Sequence, residues 1–217
     1  GHRQRWRMLK APLLRLPSHA RGMTLIELMV GVTLIAVVLM LGMPSLSLWM
    51  QNSRIRTAAE TLQNSMQQAR AEAVRRNQVV RIQLVDSLDD SCSLSTSGAN
   101  WATNLGAGSN PAASCGHAID DSSDPKLVQK GPISTAKGVR LNASQAVYAF
   151  SGMGQQAATT NPTVTPPSGM TVQISATQGS CVKDGGEVRC LNVVVSPAGQ
   201  VRMCDPSVTT AGDVLKC

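Results

Sequence analysis

The sequence predicts an α+β protein in which a long N-terminal helix packs on antiparallel β-sheet structure connected by many loops. Two observations support this fold class. An apolar run that begins at Met23 passes directly into a stretch of helical period, and from Val80 onward the period of the apolar residues changes to two. The 217 residues suit one domain of ordinary size with an extended helix.

The first 22 residues form a basic leader with six Lys or Arg residues and no acid. Of the whole chain's 20 basic and 13 acidic residues, 14 basic and 13 acidic residues therefore remain in 23–217. Most of the net charge of +7 thus lies in the leader. Aromatic residues are few (three Trp, one Tyr and one Phe), which argues against a stacking surface for single-stranded nucleic acid.

The apolar run 23–43 carries one charged residue, Glu27. As a helix it would extend about 31 Å, enough to cross the apolar core of a bilayer. The basic leader predicts that the N-terminus stays in the cytoplasm and the remainder is exported. A secretory signal peptide has its small-residue cleavage site after a shorter apolar stretch. Here Gly22 precedes the run, so cleavage at Gly22 would keep the helix in the mature protein.

The helix is expected to run from about residue 24 to about residue 76. Gly42 and Pro44 predict a kink, because proline lacks an N–H and crowds the preceding turn. Beyond the kink, apolar residues recur at steps of three and four and define one stripe, made of Ile55, Ala58, Ala59, Leu62, Met66, Ala69 and Ala73. The small residues of this stripe would allow a sheet to pack closely on the helix.

The region after the helix is predicted to be rich in β-structure. Val80, Ile82 and Leu84 alternate with polar residues, which indicates a half-buried strand. Further short strands are expected at 126–130, 138–142, 146–150 and 170–176. The Ser-, Gly- and Asn-rich residues 86–125 and the Pro-containing residues 152–169 are expected to be loops. A hairpin closes the chain, with strands at 187–195 and 200–204 joined by a turn at 196–199.

Three stretches resemble a known family. Gly22-Met23-Thr24-Leu25-Ile26-Glu27, followed by an apolar run and Pro44, resembles the class III signal of type IV pilins and pseudopilins. Residues 68–80 and 191–204 are similar to the helix-to-strand junction and the C-terminal hairpin of the GspH/FimT-type minor pilins. The resemblance implies a pilin-like fold.

The resemblance also implies how the chain is processed. A prepilin peptidase would cleave between Gly22 and Met23 and methylate the new amine of Met23. The domains would be a cleaved leader (1–22), a transmembrane and filament-core half-helix (23–50) and a head (51–217). The head would combine the amphipathic half-helix 51–77 with the β-rich region 78–217.

Two positions depart from the family pattern. Residue 23 is Met where Phe is commoner, and the last hairpin reads Gly199-Gln200-Val201-Arg202 where Gly-Arg-x-Arg is frequent.

Glu27 is the expected assembly residue. A charged side chain inside a bilayer costs about 2.5–3.5 kcal/mol on insertion scales, so its presence needs a compensating interaction. In a filament, Glu27 would form a salt bridge with the Met23 ammonium of its own or a neighbouring subunit. The competing hypothesis is a polar residue tolerated near the membrane interface.

The six cysteines indicate an oxidising compartment. Six cysteines allow about 15 pairings, and sequence alone does not prove one of them. We favour the sequential scheme because each of its pairs brackets a turn or hairpin, namely Cys92–Cys115, Cys181–Cys190 and Cys204–Cys217. Each bond would contribute about 2–4 kcal/mol.

The sequence does not predict an enzyme, a cofactor or a metal site. It contains no Gly-x-Ser-x-Gly motif and no C-x-x-C motif, and His117 is the single histidine after the leader. Two groups of aspartates have carboxylates that would suit calcium: Asp86, Asp89 and Asp90, and Asp120, Asp121 and Asp124. Neither group has the spacing of a calcium loop, and we expect both to be solvated.

DNA binding is a separate possibility, because some FimT-type proteins bind DNA. Its expected contacts are Arg202, Arg189 and Lys216, near the last hairpin and the tail. Phosphate contacts need clustered basic residues, yet residues 82–217 contain 8 basic and 10 acidic residues.

The predicted function is a minor type IV pilus subunit that enters the filament through its N-terminal helix and takes part in pilus assembly. The alternatives are a type II secretion pseudopilin and a DNA-binding minor pilin for natural transformation. The expected partners are other pilin or pseudopilin subunits, the prepilin peptidase and the inner membrane. The expected location is the inner membrane as a single-pass protein, and then a periplasmic or cell-surface filament.

Overall fold

The structure, a computed structural model, describes residues 22–134 and 137–217, with the backbone alone at 41–44. Helix α1 (Leu25–Arg76) is followed, within the described residues, by ten strands and a short 3-10 helix, Val182–Asp184. The strands are β1 (Val80–Val85), β2 (Asn100–Leu105), β3 (Leu127–Pro132), β4 (Val139–Ala143), β5 (Val147–Phe150), β6 (Thr159–Thr160), β7 (Thr163–Val164), β8 (Met170–Ala176), β9 (Leu191–Val195) and β10 (Val201–Cys204). The chain divides into two compact units, and the division falls between Met43 and Pro44 in the sequence.

The first unit contains the beginning of α1. The large apolar side chains of its described part are exposed, from Met23 to Met40. Among the described helices, none alone has the length and apolar composition to cross a membrane, whereas Leu25–Met40 and Ser45–Arg76 meet that criterion as a pair with a break between them. The predicted kink involves Gly42 and Pro44, which lie where the structure describes the backbone alone, and it stays a prediction.

The second unit is built around the remainder of α1. One stripe of the helix is buried, and its apolar members are those that the period of the sequence predicts: Ile55, Ala58, Ala59, Leu62, Met66, Ala69 and Ala73. Ser65 is also buried, and its hydroxyl donates to the Leu62 carbonyl at 2.8 Å. The helix ends at Arg76, and Asn77 turns the chain in a left-handed conformation with φ of 50°.

The strands form two four-stranded antiparallel sheets. The first sheet has the order β3-β2-β1-β5, and the second has the order β10-β9-β8-β4. Buried side chains from α1 and from both sheets make one apolar cluster, in which β1 contributes Ile82 and Leu84 and β8 contributes Val172 and Ile174. The predicted α+β class, with a long helix on antiparallel sheets, is confirmed.

Two expectations about the first sheet were wrong. Residues 86–125 contain strand β2, which pairs with β1 over its whole length, from Val80 opposite Leu105 to Val85 opposite Asn100. Strand β1 is also buried on both faces and not half-buried. The reason is that loops cover the polar side of β1, so that Arg81 and Gln83 are as buried as the apolar residues between them.

The loop expected at 152–169 also contains regular structure. Strands β6 and β7 form a small antiparallel ladder of their own, with Thr159 opposite Val164 and Thr160 opposite Thr163. This pairing was not anticipated because strands of two residues are too short to show a period of two. The carbonyl of Asn161, in the turn between the two strands, accepts a hydrogen bond from Arg81.

The C-terminal hairpin matches the prediction in its turn but has a shorter first strand. Strand β9 begins at Leu191 and not near residue 187, because residues 181–190 form a separate loop closed by a disulfide bond. Gly199 in the turn has φ of +79°, and a Cβ built there would lie 1.8 Å from the Gly154 carbonyl oxygen. Only glycine fits at this position, for its backbone conformation and for the close approach.

Three disulfide bonds close loops of the second unit: Cys92–Cys115, Cys181–Cys190 and Cys204–Cys217. They are the three bonds of the sequential scheme. The first of them forms a small apolar cluster with Val85, against which Leu88 and Leu94 pack. This bond therefore ties the long segment between β1 and β3 to the end of β1.

The buried stripe of α1 predicts a large asymmetry between helix positions. Leu62 is fully buried, so Leu62→Ala should lower the free energy of unfolding by about 2–5 kcal/mol through lost burial and a residual cavity. Val74→Ala on the same helix is the control, since Val74 is 51% exposed, and we expect a change of about 0.5 kcal/mol or less. Denaturant unfolding in detergent measures both. Equal effects of the two substitutions would contradict the placement of the stripe.

Candidate assembly site

The predicted processing site precedes the first turn of α1. Gly22, Met23 and Thr24 lie outside the helix and are exposed. The Thr24 carbonyl accepts the Leu28 N–H at 3.2 Å, and the Thr24 hydroxyl oxygen accepts the Glu27 N–H at 3.3 Å. Thr24 is therefore the N-cap of the helix, with Glu27 at the third helical position, which is the spacing of a capping box.

The capping role of Thr24 was missed at the level of the sequence. The signal that predicts it is the Thr-x-x-Glu spacing at the start of an apolar run. Glu27 consequently has two structural attributes: its amide is held by the cap, and its exposed carboxylate lies next to the positive end of the helix dipole. Assembly and helix initiation are therefore separable hypotheses for this residue.

The helix after Glu27 is apolar on every side. The large apolar residues from Leu25 to Met40 are between 52% and 79% exposed, and Thr33, the polar residue among them, donates its hydroxyl to the carbonyls of Met29 and Val30. A helix that is apolar all round is stable only when something else covers it. Within the described part of this segment, Glu27 is the one ionisable side chain.

The residues predicted to contact DNA lie together at the C-terminal hairpin and tail. Arg202 on β10 donates to the main-chain oxygens of Lys216 at 3.0 Å and Cys217 at 3.4 Å. Lys216 donates its ammonium to the Thr209 carbonyl at 3.3 Å. Arg202 therefore holds the tail against β10, and Lys216 makes a contact within the tail. DNA binding by either residue stays a prediction.

Arg189, the third of these residues, pairs with a buried carboxylate. Its Nε lies 2.7 Å from Asp205 Oδ2, and Asp205 is 2% exposed. The other oxygen, Oδ1, accepts the N–H and the hydroxyl of Ser207 at 2.9 and 2.5 Å. Burial by itself would raise the pKa of Asp205, but the hydrogen bonds from Ser207 and Arg189 together hold that pKa below its ordinary value.

A buried charge that the sequence did not reveal is Arg81. Its guanidinium donates to main-chain oxygens of Ala107, Ser109 and Asn161 and to the Gln83 side chain, while its Nε has no partner among the described residues. Desolvation lowers the pKa of Arg81 to about 10. Because the acceptors belong to separate loops, Arg81 holds both loops on the outer face of the first sheet.

The two acidic groups are occupied by hydrogen bonds from nearby serines. Asp89 accepts from Ser87 and Ser91, and Asp120 accepts from Ser122. These bonds lower the pKa of Asp120 to about 2 and that of Asp89 below its ordinary value. No group of three or more His, Cys, Asp or Glu residues arranged to hold a metal ion occurs in the described ranges.

The depressed pKa of Asp205 makes the stability of the tail dependent on pH. Its stabilising effect should be present above about pH 4, the ordinary pKa of aspartate, and should be lost as the pH falls through the lower native pKa. Asp205→Asn should therefore lower the free energy of unfolding by about 1–3 kcal/mol at pH 7, and the difference from the unchanged protein should shrink towards acid pH. Denaturant unfolding at a series of pH values tests this.

Asp184→Asn is the matched control for this experiment. The Asp184 side chain is 55% exposed and contacts Lys183 at 3.3 Å on the surface, so its loss should have little effect at any pH. A deficit of Asp205→Asn that stays constant down to strongly acid pH would show that charge is not what Asp205 contributes.

Comparisons with known proteins place the chain in a family. A family model described as type II transport protein GspH matches residues 58–199, and a model described as the prokaryotic N-terminal methylation motif matches residues 17–43. No curated protein matches the chain.

Solved structures that are similar to the chain include two crystal structures of the type IV minor pilin FimU from Pseudomonas aeruginosa. One has 17% identity and a TM-score of 0.45, over 75% of this chain and 97% of that chain; the other has 18% identity and a TM-score of 0.41, over 72% and 97%. The solution structure of GspH from E. coli has 13% identity and a TM-score of 0.40, over 73% and 92%.

The family assignment rests on the GspH model, which covers more than half of the chain. The resemblance seen in the N-terminal signal and the C-terminal hairpin is thereby confirmed. The chain belongs to the GspH family of minor pilins and pseudopilins.

Proposed function

We propose that this protein is a minor subunit of a type IV pilus, which enters the filament through its N-terminal helix and contributes to pilus assembly. The observation that carries the proposal is the N-terminal methylation motif on a helix whose apolar surface is exposed all round. Such a surface requires a cover outside the chain, first a bilayer and then the helices of neighbouring subunits. The role is structural, as is usual for pilins.

The proposed maturation uses the exposed segment before the helix. A prepilin peptidase cleaves between Gly22 and Met23 and methylates the amine of Met23. Support comes from the non-helical, exposed state of Gly22 and Met23, since a peptidase needs an extended and accessible chain. The leader 1–22 is then lost, 23–50 forms the membrane and filament-core half-helix, and 51–217 forms the head.

The proposed location changes during assembly. The precursor spans the inner membrane once, with the N-terminus in the cytoplasm, and the assembled subunit resides in a filament that reaches the periplasm and cell surface. The three disulfide bonds support export of the head, because such bonds persist in oxidising compartments.

In this proposal, Glu27 supplies the registration of subunits. Its carboxylate pairs with the Met23 ammonium of a neighbouring subunit, and the pairing offsets the cost of a charge in an apolar environment. The cap at Thr24 uses the main-chain amide of Glu27, which leaves the carboxylate available. One substitution can thus separate charge from helix initiation.

Glu27→Gln and Glu27→Ala should both be inserted and cleaved but should fail to enter filaments. Glutamine keeps the capping-box residue type and removes the charge, so we expect its loss of incorporation to equal that of alanine. The measurement is the amount of the subunit in sheared pili relative to the membrane fraction. Glu60→Ala is the control, since Glu60 is an exposed acid of the same helix that pairs with Arg56 at 2.8 Å.

Two results would decide between the roles of Glu27. Normal incorporation of Glu27→Gln together with loss for Glu27→Ala would assign Glu27 to helix capping. Normal incorporation of both variants would remove Glu27 from the assembly mechanism.

A second candidate function is that of a pseudopilin in a type II secretion system. It is favoured by one observation, the description of the matching family model as a type II transport protein. Deletion of the gene separates the two. Loss of surface pili with normal secretion supports the pilus subunit, whereas retained pili with loss of secreted exoproteins supports the pseudopilin.

A further inference from the structure

Exposed apolar side chains cluster where the chain enters the second unit. Three lie on the first turns of α1 in that unit and three on loops beside it, and their exposed fractions run from 41% for Met50 to 88% for Val214. We call them the base patch: Leu46, Trp49, Met50, Val182, Val214 and Leu215. A cluster of this kind on a soluble surface marks a site that something else covers.

Hydrogen bonds hold the first loop, residues 178–190, against the helix. The Gln51 side chain donates to the Gln178 carbonyl at 2.9 Å, and the Arg189 N–H donates to the Asn52 side chain at 2.9 Å. Met50 and Gly185 line a common groove of about 710 Å³. The 3-10 helix that begins at Val182 is therefore fixed beside the helix.

The tail takes the equivalent position on the other flank of α1. Trp49 and Leu215 line one groove of about 530 Å³, together with Met203 of β10. The Asp205 N–H donates to the Leu215 carbonyl at 2.7 Å, which pins the tail to the end of β10. Val214 precedes this anchor and stands almost fully in solvent.

Both loops are closed by disulfide bonds. Cys181–Cys190 encloses Val182, and Cys204–Cys217 encloses Val214 and Leu215. Apolar side chains on such loops are held in place before anything binds them, so little conformational entropy is lost on docking. The bonds thus present a preformed apolar surface around Trp49.

The charges of these loops identify the type of surface that fits. Residues 178–190 and 204–217 contain three basic side chains (Lys183, Arg189 and Lys216) and four acidic ones (Asp184, Glu187, Asp205 and Asp213). Arg54 and Arg56 of α1, which line the same two grooves, bring the count to five basic against four acidic side chains. A near balance gives little attraction to a strongly anionic partner. Exposed tryptophan with aliphatic neighbours is instead typical of the bilayer interface.

The position of Trp49 along the helix agrees with that interface. The apolar run 23–43, which as a helix would extend about 31 Å, ends six residues before Trp49 in the sequence. The apolar core of a bilayer is about 30 Å thick, and the whole bilayer about 40–45 Å. A tryptophan that closely follows an apolar run of membrane-spanning length in the sequence is typical of the headgroup region.

We propose that the base patch docks on the outer surface of the membrane before assembly, with Trp49, Val182 and Val214 inserted among the headgroups. The inference rests on the membrane anchor of the proposed function. Docking holds the head in a defined orientation relative to the membrane until the subunit is incorporated into a filament. Because the loops are nearly neutral, binding depends on apolar insertion and not on anionic lipid.

Quenching of tryptophan fluorescence by brominated lipid tests the docking. The full chain is reconstituted into phosphatidylcholine vesicles, with or without dibromo-phosphatidylcholine, in a background of Trp6→Phe and Trp101→Phe. One protein keeps Trp49, and three others carry Trp49→Phe with Val182→Trp, Val214→Trp or Met153→Trp. Met153 is the control, because it is 78% exposed and lies beside Gly154, whose carbonyl accepts from Arg70 far along the helix.

The expected result is about twofold or stronger quenching at positions 49, 182 and 214 and none at 153, because bromine quenches only at short range and a tryptophan seated at the interface lies close to bromines placed high on the acyl chains. Replacing a third of the lipid by phosphatidylglycerol should change quenching little. Circular dichroism verifies that each variant is folded.

Each other result contradicts the docking in its own way. Quenching at 49 alone would show that the loops stay in water, so the patch is reserved for a protein partner. Quenching at 153 as well would show that the head has no fixed orientation. Failure of the chain to float with vesicles would overturn the anchor of the proposed function, and the docking with it, whereas flotation without quenching overturns the docking alone.

Discussion

The structure depends on one constraint, which is that a single helix must serve two environments. As far as Met40 the helix presents large apolar side chains on every side, and after Pro44 it is amphipathic, with one stripe buried against the two sheets. The buried stripe is rich in alanine, as at Ala58, Ala59 and Ala69, so the sheets approach the helix closely. The described apolar side chains of the first half, as far as Met40, are exposed, and this surface is the basis of the proposed assembly.

The second unit contains many loops, which are stabilised by disulfide bonds and by hydrogen bonds from buried side chains. Three disulfide bonds each enclose a segment without long strands. Arg81 donates to three main-chain carbonyls and so ties two further segments to the first sheet, although its charge has no carboxylate partner in the described residues. Tyr148 makes a similar link between the sheets: its hydroxyl donates to the Ser196 carbonyl at 2.8 Å, and burial raises its pKa to about 12.

The two regions to which we assign a function belong to different units of the chain. At the helix start, the capping by Thr24 leaves the carboxylate of Glu27 available for a partner. In the second unit, Trp49 lines one groove with Arg189 and Leu215, which belong to two disulfide-closed loops. Arg202 and Arg189, which the sequence singles out as possible DNA contacts, bond to the tail and to a buried carboxylate in the structure, and DNA binding by them stays a prediction.

The sequence by itself determined what depends on neighbouring residues in the chain: the helix Leu25–Arg76, its buried stripe, most strands of four or more residues and the class of protein. Only the tertiary structure decided the rest. Strand β2 was missed because Asn100–Leu105 is buried on both faces and shows no alternation. The alternating pattern around Arg81 is that of a half-buried strand, which would place Arg81 in solvent, yet this residue is buried. The need for glycine at 199 comes from the Gly154 carbonyl, 45 residues away in sequence. Periodicity records which face of an element is apolar, but the loops that cover the polar face come from distant parts of the chain, and no local pattern contains them.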